Sequence, residues 1–370
     1  MIIGVKETDM GISKDARLAA VLLTGSFVAS CGGHAGHGGH DGGPDAGGLP
    51  TPQPGGLDVT GNALFVALGS NGGVAVIDVD AWRVAGTLHY STTYLPHHLS
   101  LSPDRMRVAV GAPAADLSGG HGDGGHAAGG GAIYVLNSRT GDVVAQSLPG
   151  GTAHNLAFLP SGNAVAFALL EHNMLHLASP TDLSLTGFVT VGGSPLEATP
   201  APAGDKLLVA NSADGTISVV DAASKAVEKT LTVGANPIGA WIGADGRAYV
   251  TSESDKKLSV IDLVTFTVVE TVTLAGTPGQ ALSTSGGDVW IALEDTGKVA
   301  VLGGSPLAPV GEITAGTRPH GLALSPSGAS MYLTDENAGQ VIELDVATRS
   351  IKRMLSVGGA PNGIVFRAAL

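Results

Sequence analysis

The chain has one cysteine, Cys31, in 370 residues, which excludes an internal disulfide and any thiolate metal centre. Aromatic residues make up 4% and charged residues 14% of the sequence, too few rings for a glycan-stacking platform. There is no basic run and no interleaving of aromatic with basic residues. With a net charge of −13, nucleic acid is excluded as a partner. Such an acidic surface favours solubility and modestly raises the local cation concentration. No Gly-x-Ser-x-Gly elbow, zincin helix, phosphate loop or Cys-x-x-Cys-His haem motif occurs, so the standard hydrolase, nucleotide and haem chemistries lack their signatures.

What is present is glycine, 56 residues of it, and a proline that returns at a fixed interval. Pro195, Pro237, Pro278, Pro319 and Pro361 are spaced 42, 41, 41 and 42 apart, and Pro54 and Pro96 are 42 apart. Ala153 fills the next proline slot, 57 residues after Pro96; the gap is one period plus an insertion of about 15 residues rich in Gly and His. A period of about 40 to 45 residues, with four short strands per unit, reads as propeller blades.

Each repeat has the same internal order. An apolar strand follows the proline, as in His320 to Ser325, and then a tight turn such as Ser325-Pro326-Ser327-Gly328. The second strand is small and apolar (Phe65 to Leu68, Leu208 to Asn211, Tyr249 to Ser252, Trp290 to Leu293, Tyr332 to Asp335). The third ends in Asp or Asn at Asp78, Asn137, Asp221 and Asp262, and the fourth is polar and Thr-rich, as in Val227 to Val233. That polarity suits an outer edge, where unpaired strand groups must be blunted. Seven second strands predict an all-β, seven-bladed propeller of four-stranded antiparallel blades. The C-terminal segment from Asn362 to Phe366 repeats the start of a blade and is expected to close the ring in blade 1, although Leu57 to Thr60 competes for that slot.

The motifs Tyr249-Val250-Thr251-Ser252, Tyr332-Leu333-Thr334-Asp335 and Pro319-His320-Gly321 resemble the YVTN-type β-propeller repeat family, over residues 54 to 370. The resemblance implies the fold. Similar propellers occur in surface-layer proteins, lactonases, quinoprotein subunits and metal-handling proteins, so it does not select a function.

The N-terminus reads as a targeting segment. Lys14 and Arg17 precede the apolar run from Leu18 to Ala29, which is shorter than the ~20 residues a transmembrane helix needs. It ends in Val28-Ala29-Ser30-Cys31, which resembles a bacterial lipoprotein box, the alternative being an ordinary signal with an incidental cysteine. Residues 1–30 are therefore expected to be a signal peptide, with Cys31 the lipidated residue and the membrane a partner through that lipid. Either Met1 or Met10 serves as the start. Residues 31–56 are rich in Gly, His and Pro and read as a flexible tether, and residues 57–370 as the propeller, with its insertion at about 117–131. The expected location is the cell envelope. In a Gram-negative host, glycine rather than aspartate after Cys31 would favour sorting to the outer membrane. A closed propeller is expected to be a monomer.

Histidine carries the functional argument. His34, His37 and His40 recur at every third position of the tether, where imidazoles can converge on a Zn, Cu or Ni ion. Nine more lie beyond it: His89, His97, His98, His121, His126, His154, His172, His176 and His320. His97, His154 and His320 share the slot just after the proline position, and Asn362 fills that slot in the closing segment. By repeat order these four belong to neighbouring blades 2, 3, 7 and 1. Strand alternation puts the loop between second and third strands on the same face, adding His172 and the insertion with His121, Asp123 and His126. The expected metal ligands are His97, His154 and His320 on the rim, His121, His126 and His172 beside it, and the three tether histidines. His98, Asn362, Glu171 and Asp123 are supporting rim residues. The alternative is that the rim histidines hydrogen-bond neighbouring backbone. Glu171, Glu197 and Glu253 read as scattered, solvated carboxylates, and Trp82, Trp241 and Trp290 as strand residues used for packing.

The sequence thus predicts a lipid-anchored envelope binding protein that holds or delivers a transition metal, with an unidentified protein as its metal-transfer partner. A surface scaffold is the alternative, and a lactonase-type metal hydrolase a weaker one.

Overall fold

A computed structural model of the chain describes residues 56–115 and 130–370. The signal segment, almost all of the tether and the insertion, with Cys31, His34, His37, His40, His121, Asp123 and His126, lie outside the described residues. Those described form seven antiparallel sheets of four strands each, the seven-bladed propeller expected from the repeat. In each blade the strand nearest the axis begins at or near the proline slot: His98–Leu101, Ala157–Phe158, Pro195–Pro200, Pro237–Ile242, Pro278–Ser283 and Pro319–Leu324 in blades 2 to 7. Proline suits this place, because the axial edge of a blade has no further strand to receive its missing N–H.

Blade 1 is assembled from both ends of the described chain. The C-terminal strand Pro361–Arg367 pairs antiparallel with Ala63–Leu68, placing Ala63 opposite Arg367 and Leu64 opposite Phe366. The rival segment does not take the slot. Leu57 N and Val59 N instead donate to the carbonyls of Thr140 and Arg139, each at 3.2 Å, along the turn between the outer strands of blade 2.

The middle strands are buried on both faces, as in Ala63–Leu68 and Gly73–Asp78, so they read as unbroken apolar runs rather than alternating ones. Their side chains pack between blades: Phe65 and Val76 of blade 1 meet Val108, Val110 and Tyr134 of blade 2. Each Val or Leu so buried contributes about 1.5–3 kcal/mol. The outermost strands are exposed, as Ala226–Thr232 shows.

The Asp or Asn that ends the third strand builds the turn to the fourth. Its side-chain oxygen accepts from a main-chain N–H two or three residues on: Ala81 on Asp78, Ser224 on Asp221, Thr265 on Asp262 and Thr348 on Asp345. This is the local bonding for which short polar side chains are selected in turns. Trp82 follows one such turn at φ 49°, not within a strand, with its ring against the Arg353 guanidinium at 4.1 Å.

Ring closure is fastened at the face opposite the proline loops. Arg367, fully buried, donates through Nη1 to Ser138 O at 2.7 Å and through Nη2 to Gly61 O at 2.6 Å. Burial, with a smaller contribution from Arg105, pulls its pKa below the ordinary guanidinium value. Arg367→Met should lower unfolding stability by about 2 kcal/mol, since two carbonyls lose their charged donor. Urea denaturation measures this; a midpoint equal to that of the parent chain would rule out a latch role.

Candidate metal centre

Four histidines meet where the axial strands begin. His97 and His98 lie just after Pro96. His154 occupies the corresponding slot of blade 3, and His320 is the second residue of its strand. The main chain of His97 is held from both sides. Its N–H donates to Gly111 O at 2.9 Å, and its carbonyl accepts from Gly363 N, in the closing strand, at 2.8 Å. Position 363 must be glycine for this approach, as a Cβ there would fall 2.5 Å from the His97 carbonyl oxygen.

The imidazoles form one cluster. Ring centroids are 4.2 Å apart for His97 and His154, 4.7 Å for His97 and His98, and 4.7 Å for His98 and His154. His320 closes the group at 5.6 Å from His97 and 5.5 Å from His98. All four are buried, with exposures from 1% to 6%. Two sets of three donors have ligand atoms within 4.8 Å of one another: His97, His98 and His320, and His98, His154 and Glu197. His98, read from the sequence as a supporting residue, is common to both.

Glu197 is not a solvated loop carboxylate. It is 1% exposed, and its Oε1 lies 3.2 Å from His98 Nδ1 and 3.1 Å from His154 Nδ1. Gly239 leaves it room: a Cβ there would stand 2.6 Å from Glu197 Oε2. Trp241 is likewise more than packing, since its ring stacks on His98 at 5.8 Å while Nε1 donates to Thr251 Oγ1 at 3.2 Å.

Two further buried carboxylates were missed in the sequence. Glu294 and Glu336, 3% and 4% exposed, each follow directly on the second strand of their blade, as does Glu253, which is not solvated as expected but 7% exposed, accepting from Asn236 Nδ2 at 3.0 Å. The three recur at intervals of 41 and 42, so the same period that revealed the prolines could have revealed them. Arg318 bridges two of them, with Nη2 at 2.6 Å from Glu294 Oε2 and Nε at 2.7 Å from Glu336 Oε2. Burial alone would depress the Arg318 pKa, but the glutamates overcome it and raise the value. His320 Nε2 faces the same pair, 3.7 Å from Glu294 Oε1 and 4.0 Å from Glu336 Oε1.

The remaining expected residues that are described lie around the cluster rather than in it. His172 is exposed, in the short turn Leu170–His172 beside Gly151. Glu171 accepts from Thr152 N at 2.8 Å and Thr152 Oγ1 at 2.5 Å, which pins the loop leading to His154. Burial works to raise the Glu171 pKa, and these hydrogen bonds outweigh it to give a lowered value. The Asn362 side chain, 0% exposed, packs against Gly69 and finds no hydrogen-bond partner among the described residues. Its carbonyl accepts from Thr334 Oγ1 at 2.6 Å. His176 sits apart between Phe167 and Phe188, and burial lowers its pKa. Below the histidines the propeller axis holds a cavity of about 250 Å³ with His98 and Glu197 in its wall.

No protein-family model and no curated protein sequence matches the chain. Solved structures do. The periplasmic gluconolactonase PpgL of Pseudomonas aeruginosa superposes with a TM-score of 0.66 at 20% identity, covering 84% of this chain and 99% of that one. A Desulfotomaculum acetoxidans protein of unknown function gives 0.67 at 12% identity over 84% and 100%. Apo AztD from Citrobacter koseri gives 0.57 at 14% over 84% and 98%. At these identities the likeness shows the propeller fold alone.

Replacing Arg318 by Met should destabilise the fold by about 3 kcal/mol near pH 8, because two buried carboxylates lose their cation. The loss should shrink toward pH 5, where the glutamates of the variant take up protons. Denaturant titrations at the two pH values measure it, and a pH-independent loss would mean that packing, not charge, is what Arg318 provides.

Proposed function

We propose that the chain is a metal-binding protein of the cell envelope that holds a Zn, Cu or Ni ion in the histidine cluster. The observation that supports this most directly is the pair of donor sets around His98, each with three ligand atoms within 4.8 Å. Imidazole with carboxylate is a donor set suited to zinc, and imidazole also suits copper and nickel. Charge favours a cation as well. Glu197, Glu294 and Glu336 are buried here with Arg318 as the permanent cation among them, and a bound divalent ion offsets the surplus without protonating the histidines.

In this reading Cys31 carries a lipid, the tether with His34, His37 and His40 collects ions, and the insertion with His121 and His126 hands them to the buried cluster. Delivery to a partner protein follows from the same logic, and the repeat grammar remains that of the YVTN-type propellers. The mixed histidine–carboxylate set is also compatible with a lactonase-type hydrolase, which turnover of simple lactones by the metal-loaded chain would reveal.

Isothermal titration of the full chain with Zn²⁺, Cu²⁺ and Ni²⁺ tests the site. Tight binding of one ion should survive His34→Ala/His37→Ala/His40→Ala and be lost in His97→Ala/His154→Ala/His320→Ala. Weak binding equal in both would return the rim histidines to structural duty. Affinity should fall as pH drops through ~6.5, because protonated imidazole cannot ligate; an affinity unchanged from about pH 7.5 to 5 would exclude histidine ligation. Cys31→Ser should abolish fatty-acid labelling and release the chain from the membrane fraction, and retention of the label would place the lipid elsewhere.

A further inference from the structure

The donor set His98, His154 and Glu197 supplies three protein ligands, with all three residues buried. An ion held by these three residues alone has one of its four tetrahedral positions left over, and in zinc sites with three protein ligands that position takes water or an exogenous molecule. What lies beside this one is the axial cavity of about 250 Å³, with His98 and Glu197 in its wall.

The rest of the lining decides what fits. Phe158, Trp241, Leu282 and Val365 give it apolar walls. Three of its polar side chains are already engaged. Ser100 Oγ donates to Leu156 O at 2.7 Å. Asn155 exchanges two hydrogen bonds with the Ala198 main chain, at 3.1 and 3.2 Å, and Gln280 Oε1 accepts from Leu322 N at 2.8 Å. Beyond these, Thr199 and the amide of Gln280 line the wall, and the strongest orienting group is the metal. Two neutral imidazoles and one carboxylate leave a divalent ion with a formal charge of +1, which attracts an anionic head group. The volume corresponds to about eight waters at ~30 Å³ each, enough for a short aliphatic chain or a single ring.

We infer that the metal held by His98, His154 and Glu197 binds a small anionic molecule, a carboxylate or hydroxamate with an apolar body, from the channel side, and that the cavity houses that body. This rests on the metal-binding reading above and extends it to a ternary complex.

The full chain loaded with Co²⁺ provides the test, because cobalt absorption in the visible range reports its ligands. Titration with benzohydroxamate should shift the spectrum saturably while the cobalt stays with the protein through gel filtration. Acetohydroxamate should bind about tenfold more weakly, since methyl in place of phenyl buries less apolar area. Thr199→Phe and Leu282→Phe, which fill the cavity from two sides, should retain cobalt affinity and lose at least about tenfold in benzohydroxamate affinity. An unmoved spectrum on bound cobalt overturns the ternary complex and leaves the metal site standing. So does removal of the cobalt by the probe, or a parent-like response in both cavity-filled variants, which would mean access from the loop side. Failure of cobalt to bind at all overturns the metal reading and this inference with it.

Discussion

The pairing of Pro361–Arg367 with Ala63–Leu68 is the constraint on which the rest of the molecule depends. Without it, blade 1 would expose a long apolar strand edge, the kind of edge that recruits other chains. With it, blades 7, 1 and 2 become neighbours, and residues near opposite ends of the propeller come within reach of one another. His320 and His97 are separated by most of the propeller sequence, yet their rings stand 5.6 Å apart. The same strand supports the site directly, because Gly363 N holds the His97 carbonyl, and it carries Arg367, which fastens the opposite face.

Closure also concentrates charge. Four imidazoles and the buried carboxylates of Glu197, Glu294 and Glu336 converge near the axis, with Arg318 spanning the last two and a fourth buried acid, Glu253, within its electrostatic reach. Buried carboxylates are tolerated only with partners close by, and here the partners divide. Glu294 and Glu336 have the guanidinium, while Glu197 has the Nδ1 atoms of His98 and His154. One half of the cluster is thus balanced by a fixed cation, and the other by groups that ligate metals when neutral and carry charge when protonated. In the proposed metal-binding reading, that asymmetry favours the His98, His154 and Glu197 side, which is also the side that meets the channel cavity.

The period of the prolines determined the blade count, the strand order within a blade and the common slot of His97, His154 and His320, because a repeat places equivalent residues at equivalent heights and radii. It did not determine which way a side chain turns, nor how deeply a loop is buried. His98 and His97 are adjacent in sequence, and strand alternation would point them apart. Just before and at the start of a short axial strand, however, both rings enter the cluster. Glu197 was read as a loop acid because one carboxylate in an apolar strand gives no signal alone, and its meaning lies in histidines of two other blades. Glu294 and Glu336 did carry a signal, their 41- and 42-residue spacing with Glu253, but a periodic glutamate at a strand end is equally the mark of a solvated loop.

The sequence by itself determined the architecture and the candidate ligand types, since both follow from periodicity and composition. Burial, the bridging of two glutamates by Arg318, the stacking of Trp241 on His98 and the cavity below were decided by tertiary structure alone. They arise between blades, across distances of chain that no local pattern encodes.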